Sequence, residues 1–383
     1  MLYSKLIFVF ILFLSFPLLE DRYLDPIFSE VDIENNVVYG NSPDLPFLFW
    51  VESNTQDIDL DMDIYQPSGD TEELRPLLLL MHSGSFFTGS KNADDMVALA
   101  IESAQRGYVV ASLSYRLGLN ILSSYSGERA VYRSVQDASA AIRYFRENSE
   151  AYNIDPDAIF IWGSSAGSFS AINLAYLDDS ERPESTYGSG NDPDLGCVDC
   201  AGNDFDHSNK PNAIVSCWGA ISNLDYIDSD DVTPIAMFHG TLDPIVPFTS
   251  GYPFTVDIAL PFVYGSELMH QKFQENGIYS EFYIGENELH EYWGTLNGSW
   301  LLGPNDNWDF ILNKGYEFLY QYINFGSDIP GDLNQDSVVD VLDIIIVVNH
   351  ILDDNFIEQG DVNSDGFLNI LDIILYINII TLD

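Results

Sequence analysis

Cationic side chains are scarce. The chain carries 14 Lys plus Arg against 60 Asp plus Glu, a formal charge of −46 over 383 residues. A surface of that sign repels phosphate backbones and anionic headgroups, which excludes nucleic acid as a partner and gives no attraction to a membrane surface. It suits an exported protein, a saline habitat or calcium binding, and does not choose among them. Cysteine is scarce too, with only Cys197, Cys200 and Cys217. Two readings stay open: one disulfide with a thiol left over, or a zinc site drawn from the Cys-x-x-Cys pair with His207 and Cys217. Long apolar runs are missing after the first twenty residues. There, "LIFVFILFLSFPLL" follows Lys5 and reads as a secretory signal, residues 1–20. No A-x-A cleavage site follows, so an uncleaved anchor is the alternative. The later runs "IIIVV" and "IILYINII" are too short to span a bilayer. The expectation is an extracellular or cell-surface protein with no membrane contact after signal cleavage.

What is present is enough apolar matter for a large core: 46% of residues are hydrophobic. That allows one α/β domain of roughly 250 residues plus a small module. "QDIDLDMDIYQP" alternates polar and apolar residues as a half-exposed strand does, while "PLLLLM" is a continuously buried one. Further strand-like runs are "YVVASLSYR", "AIFIWG", "AIVSCWGAI", "IAMFHGT" and "SEFYIGE". Helical patterns lie between them at 92–106, 130–147, 166–177 and 261–276. Strand and helix alternate, which predicts a mostly parallel central sheet with helices on both faces and a site at the carboxyl ends of the strands. Near 326 the composition shifts, because 327–383 holds 12 acidic residues and no Lys or Arg. The expected division is therefore a signal at 1–20, a domain at 21–326 and a module at 327–383.

The stretch "IFIWGSSAGSF" accepts the pattern G-x-S-x-G in one register only, with Gly163 and Gly167 flanking Ser165 and Ser164 in the first variable position. A strand must turn sharply into a helix there, holding the central hydroxyl at the tip. "LLLLMHSGSFFTGS" ends a buried strand with a variant of the H-G-G-G loop, whose backbone N–H groups face an oxyanion. Asp243 follows the strand in "MFHGTLDPIVP", and His290 sits in the loop after the next strand, in "EFYIGENELHEYWG". The order Ser165, Asp243, His290 is the one an α/β-hydrolase requires. Among the histidines after the acid, His270 falls on a helix and His350 in the module, which leaves His290.

Residues 57–325 resemble the carboxylesterase and feruloyl or acetylxylan esterase branch of the α/β-hydrolases, through "SLSYRLG", "NIDPDAIFIWGSSAG" and "HGTLDPIVP". The resemblance implies Ser165 as nucleophile, His290 as general base and then acid, and Asp243 as its orienting partner. It implies an oxyanion hole from the N–H groups of Gly84, Ser85 and Ala166, and no cofactor for catalysis. Ser83 and Ser85 depart from the loop's glycines but keep their backbone donors. Only about a dozen residues separate Ser222 from Pro234, so no large lid is expected and the cleft should be open. Aromatic residues after Asp243 suit a bulky or polymeric ester. A serine peptidase of the same fold and a non-catalytic calcium-dependent scaffold remain as alternatives.

The module repeats "DLNQDSVVDVLD" as "DVNSDGFLNILD". Asp332, Asn334, Asp336, Asp340 and Asp343 occupy positions 1, 3, 5, 9 and 12 of a calcium loop, with the Val338 carbonyl at position 7. The second copy supplies Asp361, Asn363, Asp365, Asn369 and Asp372, with the Phe367 carbonyl at position 7 and Gly366 at the turn. Two Ca2+ ions are expected. Asp at position 12 and a single helix after each loop resemble a dockerin type I module, which implies a cohesin-like protein partner. Val341, Leu342, Ile370 and Leu371 stand where such modules commonly place Ser-Thr, which keeps open a calcium-stapled cap instead.

Overall fold

The computed structural model describes residues 22–45, 51–123, 125–255, 260–294 and 303–323, and in the tail 331, 333, 339, 341–352, 356–357, 360–363 and 366–382. The expected signal at 1–20 lies outside them. The strands are β1 (Val31–Asp44), β2 (Gln56–Pro67), β3 (Arg75–Met81), β4 (Val109–Leu113), β5 (Ile154–Ser164), β6 (Ala213–Cys217), β7 (Ala220–Ile221), β8 (Ile235–Gly240), β9 (Ser250–Gly251), β10 (Val263–Gly265) and β11 (Ser280–Gly285). Eight form one sheet in the order β1-β2-β4-β3-β5-β6-β8-β11. From β4 to β11 every neighbouring pair is parallel, and β1 and β2 add an antiparallel edge. The short β7, β10 and β9 make a second, three-stranded sheet.

The helices are α1 (Asp94–Gln105), α2 (Ser126–Glu147), α3 (Ser149–Tyr152), α4 (Ala166–Tyr176), α5 (Ser266–Asn276), α6 (Asp306–Tyr320), α7 (Val341–Leu352) and α8 (Ile370–Leu382). Strand β3 shows how they are held. Its side chains alternate between faces, so Leu77, Leu79 and Met81 enter a core shared with α2, α4 and α5. Leu78 and Leu80 enter a second core with α1 and α6. Each of these fully buried leucines contributes roughly 2 kcal/mol of apolar burial. No described helix is long and apolar enough to cross a membrane.

Two elements go beyond what the sequence reading anticipates. Strand β1 is mostly polar and largely exposed, as an edge strand can be, so it lacks the apolar alternation that marks a strand. Helix α6 does carry a periodic apolar face in Trp308, Ile311, Leu312, Tyr316 and Leu319, all buried. The predicted helix at 261–276 begins later, because Val263–Gly265 is strand β10. In the tail, α7 and α8 each follow one copy of the repeat, with Val347 and Tyr376 fully buried.

Candidate active site

Strand β5 ends at Ser164 and helix α4 begins at Ala166. The single residue between them, Ser165, adopts φ +51° and ψ −112°, a conformation that strains a residue with a Cβ. The flanking glycines are needed for close approach. A Cβ on Gly163 would lie 2.6 Å from the Gly167 backbone, and one on Gly167 would lie 2.1 Å from the Met81 carbonyl oxygen. Ser164 is buried and its Oγ accepts from Trp218 Nε1 at 3.1 Å, so the neighbouring serine has a packing role.

His290 bridges the other two predicted residues. Its Nε2 lies 2.9 Å from Ser165 Oγ, and its Nδ1 lies 2.7 Å from Asp243 Oδ2. Asp243 Oδ1 accepts from the N–H groups of Ile245 (2.8 Å) and Val246 (2.9 Å). Burial by itself would raise the Asp243 carboxyl, but hydrogen bonds from His239 and His290 outweigh it and hold the group well below the usual carboxylate range. A carboxylate ionised at all working pH values fixes His290 with Nδ1 protonated and Nε2 free to accept the serine proton. His239, which the sequence reading passes over, is fully buried with Nε2 3.3 Å from Asp243 Oδ2. The signal was the i, i+4 spacing of His239 and Asp243 within "HGTLD".

The loop after β3 packs under this constellation. His82 is buried, stacks on Tyr115 at 4.2 Å, and its pKa is lowered to about 4 by burial, against the opposing hydrogen bond to the Ser83 carbonyl. It is neutral at pH 7 and serves as packing. Gly84, Ser85 and Phe86 all have positive φ, at 123°, 56° and 57°. Of the three residues expected to present N–H groups, Ser85 and Ala166 line the pocket beside Ser165. Gly84 is not on that wall, and Phe86 is. Ala166 is the first residue of α4, so its N–H has no carbonyl partner within the helix.

The pocket beside Ser165 is lined mainly by apolar side chains, among them Phe86, Val135, Phe169, Phe254 and Leu260. Leu177 and Pro183 border it just after α4, and Pro253, Phe254, Leu260, Pro261 and Val263 border it from the segment after Asp243. The zinc reading does not hold. Cys197 and Cys200 form a disulfide, His207 Nε2 meets Glu147 Oε2 at 2.8 Å, and Cys217 is buried with its thiol pushed up by that burial.

In the tail, Asp332, Asn334, Asp336, Val338, Asp340 and Asp365 lie outside the described residues. The others fit a calcium loop. Asp361 Oδ2 accepts from Gly366 N–H at 2.7 Å, across a turn where Gly366 has φ +82°. Asp343 and Asp372 are fully buried. Asp372 Oδ2 accepts from Asn369 N–H at 2.8 Å, while its buried Oδ1 meets no hydrogen-bond donor among the described residues. An anionic oxygen left without a donor in a buried place is what a hard cation would coordinate.

Comparison with known proteins agrees with these two parts. Residues 62–220 match the BD-FAE family model, and residues 330–381 match the Dockerin type I domain. The chain is similar to para-nitrobenzyl esterase of Bacillus subtilis, 29% identical over 151 residues, which is 37% of this chain and 30% of that enzyme. It is similar to mouse carboxylesterase 3B, 33% identical over 117 residues, 30% of this chain and 20% of that protein. The chain thus spans less than a third of the length of these curated relatives. Among solved structures, Thermogutta terrifontis esterase Est2 with butyrate bound superposes with a TM-score of 0.51 at 20% identity, covering 73% of this chain and 94% of that one. The chain therefore combines an α/β-hydrolase domain of the BD-FAE type with a dockerin type I module, a kind of module that binds calcium.

Proposed function

We propose that this protein is a secreted serine carboxylic-ester hydrolase. The observation that carries the reading is the unbroken contact from Ser165 Oγ through His290 to Asp243. His290 Nε2 takes the Ser165 proton as Oγ attacks the ester carbonyl carbon, and the electron pair moves onto the carbonyl oxygen. The N–H groups of Ser85 and Ala166, with that of Gly84, would hold this oxyanion; one such donor is worth about 3 kcal/mol in a comparable enzyme. The tetrahedral intermediate collapses, the alcohol leaves with the proton from His290, and Ser165 keeps the acyl group. Water, deprotonated by His290, then attacks the acyl-enzyme and releases the acid.

The apolar lining of the pocket beside the nucleophile supports an apolar or aromatic acyl group. Esters borne on a polysaccharide or another polymer fit such a site, with the chain left outside and the acyl group inside. Two Ca2+ ions in the module, held by the two sets of repeat ligands, would order it, and a cohesin-like protein is the proposed partner. The test is a panel of p-nitrophenyl acetate, p-nitrophenyl butyrate, methyl ferulate, acetylxylan and a peptide p-nitroanilide, run with wild type and Ser165→Ala. The reading predicts ester turnover that vanishes in Ser165→Ala, with aromatic acyl groups favoured. Amide turnover exceeding ester turnover, or activity that survives Ser165→Ala, would overturn it.

A further inference from the structure

We infer that His239 is a positioning residue for catalysis, completing the set of donors that holds Asp243 against His290. The inference rests on the reading of Ser165, His290 and Asp243 given above. His239 is the penultimate residue of β8, fully buried, four residues before Asp243. Its Nε2 lies 3.3 Å from Asp243 Oδ2 and 3.1 Å from the Val246 carbonyl oxygen. Both neighbours are acceptors, so Nε2 carries the proton and shares it between them. Nδ1 lies 2.8 Å from Ser266 Oγ. In that tautomer Nδ1 accepts the Ser266 hydroxyl proton, and Ser266 is itself fully buried at the start of α5. The ring also meets the Phe248 ring edge-on at 5.6 Å. Three elements therefore fix its plane.

The consequence lies in how Asp243 is satisfied. Two backbone N–H groups donate to Oδ1 and His290 Nδ1 donates to Oδ2, while His239 Nε2–H, whose shorter contact is the Val246 carbonyl, faces Oδ2 at 3.3 Å. A carboxylate has about four lone-pair sites, and with His239 beside Oδ2 each of them faces a donor, which resists rotation of the group. Remove His239 and Oδ2 keeps His290 alone, in a site too buried for water to replace the donor freely. Asp243 can then turn or recruit another partner, and His290 loses the geometry that points Nε2 at Ser165. The effect should fall on the chemical step and leave substrate binding alone, since His239 does not line the pocket.

The test compares His239→Leu, His239→Gln and His239→Asn in the full-length protein, with folding checked by circular dichroism and Ser165→Ala as the control. Gln places an amide N–H where Nε2 stood, whereas Asn is too short to reach Oδ2. Expected is a kcat loss of about 10- to 100-fold for Leu and for Asn, the size of one lost bond to a buried charge, with KM within about twofold. Gln should recover most of kcat. Wild-type kcat in a folded Leu variant would overturn the inference. So would equal values for Gln and Asn, a comparison that stands even if Leu fails to fold, and so would a rise in KM with kcat unchanged. If Ser165→Ala retains turnover, the triad reading itself fails; if it is inactive while the His239 series is flat, only the role of His239 fails.

Discussion

The hydrolase domain and the tail both bury carboxylates, but they neutralise them differently. In the hydrolase domain, cationic side chains do it. Arg116 pairs with Asp137 at 2.7 Å, Lys91 with Asp63 at 2.8 Å, and Arg129 and Arg133 converge on Glu52. All these carboxylates are nearly or fully buried. In residues 327–383 there is no Lys or Arg, yet Asp343 and Asp372 are fully buried. Beyond Lys5, the few cations of this acidic chain lie in the hydrolase domain, and a calcium ion is the proposed counter-charge in the tail. The contrast predicts that one region folds without calcium and that folding of the other is linked to it.

The largest effect that tests this contrast is chelation. EDTA should abolish the thermal transition of the tail in the full-length protein, and added Ca2+ should restore it, because the crowded carboxylates repel one another without an ion. The transition of the hydrolase domain and its ester rate should stay put. Identical melts with and without EDTA would break the contrast on the tail side.

A smaller effect probes the other side. Arg116→Met strands the buried Asp137 carboxylate and should destabilise the hydrolase domain by about 3–5 kcal/mol in urea unfolding, while Arg116→Met with Asp137→Leu should lose less. Equal losses would mean that the pair acts by packing and not by neutralising charge.

The smallest effect concerns an exception within the hydrolase domain. Asp95 is buried at the start of α1, with no cation beside it and no partner for its Oδ2 among the described residues; burial, partly offset by backbone hydrogen bonds, raises its pKa to about 6. The folded value lies above the unfolded value of about 3.9. The folded state thus holds the proton more tightly, and this carboxyl lowers stability as pH rises from 4 through 6. Asp95→Asn should accordingly raise stability by about 2 kcal/mol at pH 8 and by little at pH 4, as read from urea midpoints at both values. A pH-independent change would show that Asp95 is already neutralised by a partner.

Much of the site was legible because its residues sit in local patterns with strict spacing. The register of "GSSAG" singles out Ser165, and strand ends followed by loops single out Asp243 and His290. His239 was not legible in the same way. It lies inside a buried apolar strand, and its role depends on Ser266, which is 27 residues away in sequence. The lining of the pocket was not legible for a related reason. Insertion lengths indicate how much chain is available, whereas the packing of Leu177, Pro183 and Leu260 around Ser165 arises only in three dimensions. Strand β1 pairs through its backbone with β2, so its polar side chains carry little trace of it.

The central claim is that Ser165 forms an acyl-enzyme. The most direct measurement is mass spectrometry of the full-length protein after reaction with a p-nitrophenyl phosphonate, followed by peptide mapping of 154–176. The account predicts one adduct per chain on Ser165, with p-nitrophenolate released in equal amount, and no labelling in His290→Ala on the same timescale. An adduct on Ser164, or labelling that proceeds at the same rate without His290, would contradict it.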